Sequence, residues 1–282
     1  MKLVIVYNVK SGGKFSKATL ESMMDQAKID VIDWIAVNAE MHARLTPYCK
    51  KNAMIAAVGG DGTQRAVAGS IINLGGIMVP LPGGTLNHFT KDLKVPQDMQ
   101  EAIMRLSTLK TSKIDIATVN NKVFVNNSSI GLYPQSLLER KKTEKFLGKW
   151  LAATRAAMLS LLRFRKYHVE VNGEVMRVPY IFVGNNNYDF AGSMLAERTS
   201  LTGGMLTLFV LRSWSRLRLL RAGFFDRLGS QNRNSDFLIE HSENIHINAR
   251  QRELAVSLDG EVIELATPLV YKIKPKSLKV LV

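Results

Sequence analysis

The chain has 282 residues, 46% hydrophobic and 22% charged, a usage that excludes disordered, collagen-like and low-complexity chains and leaves room for two domains of about 150 residues each. Its single cysteine, Cys49, excludes an intrachain disulfide or a thiolate metal cluster and fits a reducing compartment, so a cytoplasmic protein is expected. The net charge of +14 suits a polyanionic partner, and eleven of those charges fall in two stretches, residues 139–166 and 212–227.

The N-terminal MKLVIVYNVK holds too short an apolar run for a signal peptide. From there short apolar runs alternate with helical patterns, and strands are predicted at residues 3–7, 31–37, 53–58 and 77–81. Between and after them lie helices: Val67, Ile71 and Leu74 recur at i, i+4, i+7, and Met99, Ala102, Ile103 and Leu106 at i, i+3, i+4, i+7. This alternation predicts an α/β domain with a parallel sheet over residues 1–112. The longest uncharged run, 66–90, has the length of a membrane span but is interrupted by Gly75, Gly76, Pro80, Pro82, Gly83 and Gly84, which argues against one. Beyond Lys110 the pattern turns β-rich, with strands predicted at 114–119, 123–128, 167–171, 175–183, 206–211, 245–248, 254–258, 269–273 and 278–282. Turn pairs such as Asn120-Asn121, Asn172-Gly173 and Asp259-Gly260 separate several of them. A sandwich-like β-rich domain over 113–282 is expected, carrying two basic insertions of helical periodicity, 146–162 and 214–228, with the last strand returning to the first domain.

The strand at 53–58 runs straight into Gly59-Gly60-Asp61-Gly62-Thr63, which opens a helix. A glycine-rich turn at a strand's carboxyl end lets backbone N–H groups approach a phosphate, and the helix that follows adds its positive end. Asp61 beside such phosphates is useful if it holds Mg²⁺ or accepts a proton; a tight βα turn with a capping Asp is the plainer reading of the same residues. The next strand ends in Pro82-Gly83-Gly84-Thr85-Leu86-Asn87-His88-Phe89. Consecutive strands of a parallel sheet place both turns at one edge, where ligands of such folds bind, and Thr85 and Asn87 offer neutral donors there or serve as helix caps. The first strand ends at that same edge in Asn8-Val9-Lys10-Ser11-Gly12-Gly13-Lys14, whose glycines and Lys14 complete a phosphate cradle or form a solvated turn. Leu258-Asp259-Gly260-Glu261 is by itself a hairpin turn that needs no function. The five histidines show no zinc spacing, and His241 and His246 are expected to be solvated.

In that order, NVKSGGK, GGDGT, PGGTLNHF, SIGLYP at Ser129 to Pro134 and LDGE resemble the bacterial diacylglycerol kinase and lipid kinase family, which includes sphingosine kinase relatives, over nearly the whole chain. The resemblance implies a phosphotransferase acting on a lipid hydroxyl in phospholipid metabolism, with ATP as phosphate donor and Mg²⁺ as cofactor. It assigns ATP binding to Asn8, Ser11, Gly12, Lys14, Gly59, Gly60, Gly62, Thr63, Gly84, Thr85 and Asn87, and catalysis to Asp61 with Asp259 and Glu261, one of the latter pair as proton acceptor. The sequence departs from the family pattern at Val9, at Arg65-Ala66 after GGDGT, and at His88, where the family has Asp. Asp61 stands as the Mg²⁺ ligand, and Asp92, one helical turn after His88, as a further candidate. The family's structural Mg²⁺ site falls at Gly203-Gly204, where only backbone carbonyls such as those of Ser200 and Met205 remain, so that site is expected to be absent or weak.

Two alternatives to a lipid kinase are a soluble small-molecule kinase of the NAD kinase type, which shares GGDGT, and a nucleotide-binding regulator that has lost catalysis. Nucleic acid is not expected as a partner, because the basic segments carry no recognition motif. Phe146, Leu147, Trp150, Leu151, Met158 and Leu161 among lysines and arginines, and Trp214, Leu217, Leu220, Phe224 and Leu228 among arginines, combine apolar stripes with basic flanks. Such segments either pack on the β domain or hold a peripheral protein to an anionic membrane, and the charge favours the membrane.

Overall fold

The computed structural model describes residues 1–8, 15–131, 166–189, 197–212 and 237–282. The basic segments 146–162 and 214–228 lie outside the described residues, as do Ser11, Gly12 and Lys14 and the last three residues of SIGLYP. The chain divides into two units, one made of Met1–Ile116, Lys122–Asn126 and Lys274–Val282, the other of Ala117–Asn121 and Asn127–Ile273.

The first unit is α/β. Strand β1 (Lys2–Tyr7) is followed by α1 (Lys17–Gln26), β2 (Asp30–Ala36), α2 (Met41–Cys49), β3 (Met54–Gly59), α3 (Asp61–Ile71), β4 (Ile77–Pro82), α4 (His88–Asp92) and α5 (Met99–Arg105), with a short 3₁₀ turn after α5. The strands lie in the order β2-β1-β3-β4 and all pair in parallel. The order reverses between β1 and β3, so the turn after β3 leaves the sheet at the position where doubly wound folds bind ligands. Leu3, Val4, Ile5, Val6, Ile55, Ala56 and Ala57 are fully buried, as strands covered on both faces require. Helix starts follow local chemistry: the Ser16 hydroxyl accepts the Thr19 N–H at 3.1 Å and the Asp98 carboxylate the Glu101 N–H at 2.9 Å. Helix α3 stops at Ile71, and Leu74 of its predicted stripe lies in the turn that leads to Gly75 at φ 88°.

The second unit is β-rich and antiparallel. In chain order the remaining strands are β5 (Thr111–Val119), β6 (Lys122–Phe124), β7 (Asn127–Gly131), β8 (Tyr167–Val171), β9 (Glu174–Val178), β10 (Tyr180–Asn185), β11 (Tyr188–Asp189), β12 (Glu197–Arg198), β13 (Leu206–Leu211), β14 (Phe237–Ser242), β15 (Asn244–Ala249), β16 (Glu253–Leu258), β17 (Glu261–Ala266) and β18 (Leu269–Leu281), of which β6, most of β5 and the end of β18 belong to the first unit. One sheet runs β14-β13-β10-β7-β16-β17; in the other the first residues of β18 pair with β15, then β8 and β9. The sheets face each other across a hydrogen bond of 3.0 Å between the buried Ser128 Oγ on β7 and Tyr271 Oη on β18. Burial pushes the Tyr271 phenol well above its ordinary value, so it stays a neutral hydroxyl.

Three turn pairs bend the chain as their residue types dictate, with successive positive φ at Asn120 and Asn121 (43° and 64°), Asn172 and Gly173 (50° and 92°), and Asp259 and Gly260 (48° and 84°). Four of the predicted runs are divided differently in the structure. The run at 123–128 is two strands, β6 and β7. The run at 175–183 breaks at Pro179, which has no N–H for a ladder, and its halves β9 and β10 belong to different sheets. The runs at 269–273 and 278–282 are one strand, β18, bent at Lys276 (φ 49°), whose N–H is held at 2.7 Å by the buried Asp115 carboxylate. The end of β18 returns to the first unit, where Lys279 and Val280 pair in parallel with Ile77 and Met78 of β4.

Candidate active site

The two glycine turns meet backbone to backbone. Gly59 pairs with Pro82 at the ends of β3 and β4, and the Gly83 N–H donates to the Gly59 carbonyl at 3.1 Å. A Cβ on Gly83 would lie 2.9 Å from Gly59 Cα, and one on Gly84 2.5 Å from Gly60 Cα. These glycines are therefore required first by the contact between the turns themselves. The Gly84 N–H is taken by the Asn87 side-chain oxygen at 2.8 Å, with Asn87 in the left-handed region (φ 52°), so these two predicted phosphate contacts serve each other within the turn. Thr63 is buried against Gly59, and its N–H donates to the Gly60 carbonyl at 2.9 Å. Thr85 is exposed, and Asn8 is half-buried at the end of β1.

Asp61, the first residue of α3, binds the second turn to the first. Its Oδ1 accepts the Phe89 N–H at 2.9 Å and the Asn126 amide at 3.1 Å; its Oδ2 accepts the His88 N–H at 3.2 Å. A carboxylate offers about four acceptor positions, so three donors leave one, on Oδ2. Asp92, at the far end of α4, is half-buried. Among the described residues no three His, Cys, Asp or Glu side chains are grouped to hold a metal.

One helical turn along α3, Gln64 is almost fully buried, and its amide nitrogen donates to the carbonyls of Ala57 (2.9 Å), Gly59 (3.2 Å) and Leu81 (3.0 Å). Its side-chain oxygen has no hydrogen-bond partner. Gln64 and Asn126 are absent from the sequence-based site. Gln64 carried one usable signal, a polar residue on the face of α3 that also bears Val67, Ala68 and Ile71; Asn126 carried none, since it meets Asp61 only through the fold.

In the second unit, the Asp259 carboxylate turns back onto β7 and accepts the Asn127 N–H at 3.1 Å, while the Asp259 N–H donates to the Asn127 carbonyl at 3.0 Å. The side chain of Asp259 is half-buried and held; Glu261 across the turn is exposed. Gly204 (φ 69°) donates its N–H to the Asn186 side-chain oxygen at 3.1 Å, so the Gly203-Gly204 step is occupied by an asparagine contact. Asn185, Asn186 and Thr207 are fully buried there. The Thr207 hydroxyl donates to the Asn186 carbonyl at 2.9 Å and accepts the Tyr188 N–H at 3.2 Å. With its single proton spent, the hydroxyl can only accept from His241, whose Nδ1 lies 3.2 Å away. His241 is thus exposed, as expected of a solvated histidine, yet anchored on one nitrogen.

Residues 2–119 match the model of the diacylglycerol kinase catalytic domain, and residues 139–282 that of the YegS C-terminal NAD kinase beta sandwich-like domain. A Staphylococcus aureus (strain MSSA476) protein provisionally named a lipid kinase is 25% identical over 244 residues, covering 83% of this chain and 78% of its own. A YegS-like protein of Chromohalobacter salexigens, named a lipid kinase on the same provisional footing, is 26% identical over 219 residues, 74% of this chain and 70% of its own. The crystal structure of a diacylglycerol kinase from Bacillus anthracis superposes with a TM-score of 0.69 at 20% identity, over 99% of this chain and 95% of the other, a likeness of fold.

Proposed function

Because the chain belongs to the diacylglycerol kinase-like lipid kinase family, we propose that it transfers the γ-phosphate of ATP to the hydroxyl of a lipid. The observation that carries this reading is the first unit's paired glycine turns, closed on each other and clamped by Asp61 at the carboxyl ends of β3 and β4. Phosphoryl transfer asks for positioning and charge neutralisation more than for covalent chemistry by the protein. The turns bring backbone N–H groups to the phosphates, and Asn8, Ser11, Gly12 and Lys14 complete the cradle in this reading. Mg²⁺ is held in such sites by one or two carboxylates together with phosphate oxygens and water, and the remaining acceptor position on Asp61 Oδ2 fits that demand, with Asp92 as a second candidate. When bound, the ion neutralises charge on the transferred group. The acceptor oxygen forms its bond to the γ-phosphorus as the bond to the β-phosphate oxygen breaks, ADP departs, and the hydroxyl proton passes to Asp259 or Glu261.

Incubation with labelled ATP, Mg²⁺ and separate acceptors, among them diacylglycerol, monoacylglycerol, ceramide, sphingosine, phosphatidylglycerol and NAD, tests the reading. Label is expected in a lipid. Label in NAD, or none anywhere while ATP binds, would replace it with one of the two alternatives.

The hairpin can be tested apart from the fold. Asn accepts positive φ as readily as Asp and can still receive the Asn127 N–H, so Asp259→Asn should fold, as should Glu261→Gln at an exposed site. At least one should bind ATP normally and lose transfer by about a hundredfold or more, as for a missing general base. Unchanged turnover in both would leave this hairpin a turn and nothing else.

The reading also includes attachment to anionic membranes through residues 139–166 and 212–227. No helix among the described residues is long and apolar enough to cross a membrane. Each basic residue near an anionic surface contributes about 1 kcal/mol, so the nine in the first stretch alone would hold the protein beside a lipid acceptor. Sedimentation with vesicles should show binding that needs anionic lipid and falls with salt; binding indifferent to both would remove the electrostatic account.

A further inference from the structure

We infer that Gln64 is a positioning residue that fixes the distance between the two glycine turns and thereby sets nucleotide affinity, an inference whose second half rests on the kinase reading above. Three carbonyl oxygens converge on one atom of its amide, which identifies that atom as the nitrogen. Two of these carbonyls, Ala57 and Gly59, belong to the end of β3, and the third, Leu81, to the end of β4. An NH₂ group has two hydrogens, so one is shared, and the side chain lies across the seam between the strands. The Gly59 carbonyl also receives the Gly83 N–H, so Gln64 adds a second bond where the pairing of β3 with β4 runs out. Directly beyond the clamp, Gly60 and Gly84 come so close that a Cβ between them has no room.

The unpartnered oxygen of Gln64 is what separates a positioning role from a merely structural one. A buried polar atom without a partner costs stability, and Met, of similar length, would fill the same space without that cost. A side chain present for packing alone gains nothing from the amide. A side chain present to tie β3 to β4 needs its NH₂ and carries the oxygen as a consequence.

The test compares the wild-type chain with Gln64→Met, Gln64→Asn and, as a control for burial on the same helix, Val67→Ala. Three measurements are made on each: thermal melting, ATP affinity by calorimetric titration, and hydrogen exchange in peptides spanning 57–63 and 81–89. Gln64→Met should melt near the wild type, bind ATP about tenfold or more weakly, raise KM for ATP more than it lowers kcat, and exchange faster at 81–89, because a small misplacement of a binding loop is felt strongly in the complex. Gln64→Asn, whose amide is one methylene short, should lose ATP affinity and exchange faster at 81–89 in the same way, but melt lower, because its buried amide is drawn away from its acceptors. Val67→Ala should melt lower and keep its ATP affinity. Equal ATP affinity and unchanged exchange in Gln64→Met would overturn the inference, as would a matching loss of affinity in Val67→Ala, or failure of both Gln64 variants to fold. If the wild type binds no ATP, the kinase reading fails, and the exchange rates at 81–89 still decide whether Gln64 sets the turns.

Discussion

Asp61→Asn is expected to reduce phosphoryl transfer by about a hundredfold or more while the protein remains folded, because the change removes the negative charge with which Asp61 would hold Mg²⁺ beside the transferred group. The structure adds a second effect. The carboxylate receives three N–H donors, from His88, Phe89 and Asn126. An amide at the same place can turn its oxygen to the two donors that Oδ1 now receives, which sets its own NH₂ against the His88 N–H. Donor then faces donor, and a bond to a charged acceptor, typically contributing about 1.5–3 kcal/mol, is lost. Urea denaturation should therefore show a drop of about 1–3 kcal/mol alongside the kinetic loss. Turnover within a few fold of wild type would show that the carboxylate only joins the turns; a loss of activity that disappears at temperatures far below the melting point would say the same.

Gly84→Ala should be nearly as damaging by a different route. The added methyl carbon would stand 2.5 Å from Gly60 Cα and 2.9 Å from the Asn87 oxygen, and the nearer of these is backbone that cannot rotate away. One turn must move off the other, at a cost of about 1–3 kcal/mol for an overpacked site, and ATP binding should be lost with it. Gly69→Ala supplies the comparison. Its Cβ would meet Val123 at an ordinary 3.6 Å, and Ala in a helix interior is favoured over Gly by about 0.5–1 kcal/mol, so that variant should be as stable as the parent or more so. Urea midpoints and ATP titrations of the two proteins side by side check both halves.

Where a single residue type forces a local geometry, the sequence was readable. Asn172-Gly173 and Asp259-Gly260 sit at the hairpin turns their positive φ demands, and the alternation of apolar runs with helical stripes gave the parallel sheet and its succession of strands. Pro179 shows the opposite case: one apolar run from Val175 to Val183 looks continuous by hydrophobicity, and only the missing N–H of proline separates two strands with different partners. Of the candidate site, the two glycine turns that follow β3 and β4 were legible as neighbours at one edge, but their internal bonding was not. Nothing in PGGTLNHF says that the Asn87 oxygen will take the Gly84 N–H, and the contact of Asn126 with Asp61 joins residues 65 positions apart. Gln64 is hard to recognise in the sequence because a polar residue one turn into a helix is usually solvated, and only the strand ends beneath it give its amide three acceptors.

The placement of the last strand bears on how the molecule is made. Val280 pairs with Met78, and Val282 exchanges both backbone hydrogen bonds with Lys110, at 3.0 Å each. During synthesis the outer flank of β4 thus waits for a partner that leaves the ribosome roughly 200 residues later, after the whole β-rich unit has been made. Until then it is an apolar, unpaired strand flank, the kind of surface on which nascent chains pair with one another. A fragment ending near residue 116 would keep that flank bare permanently and should aggregate, whereas a circular permutant that places residues 274–282 ahead of Met1 would deliver the missing strand first and release the α/β unit from its dependence on the rest of the chain.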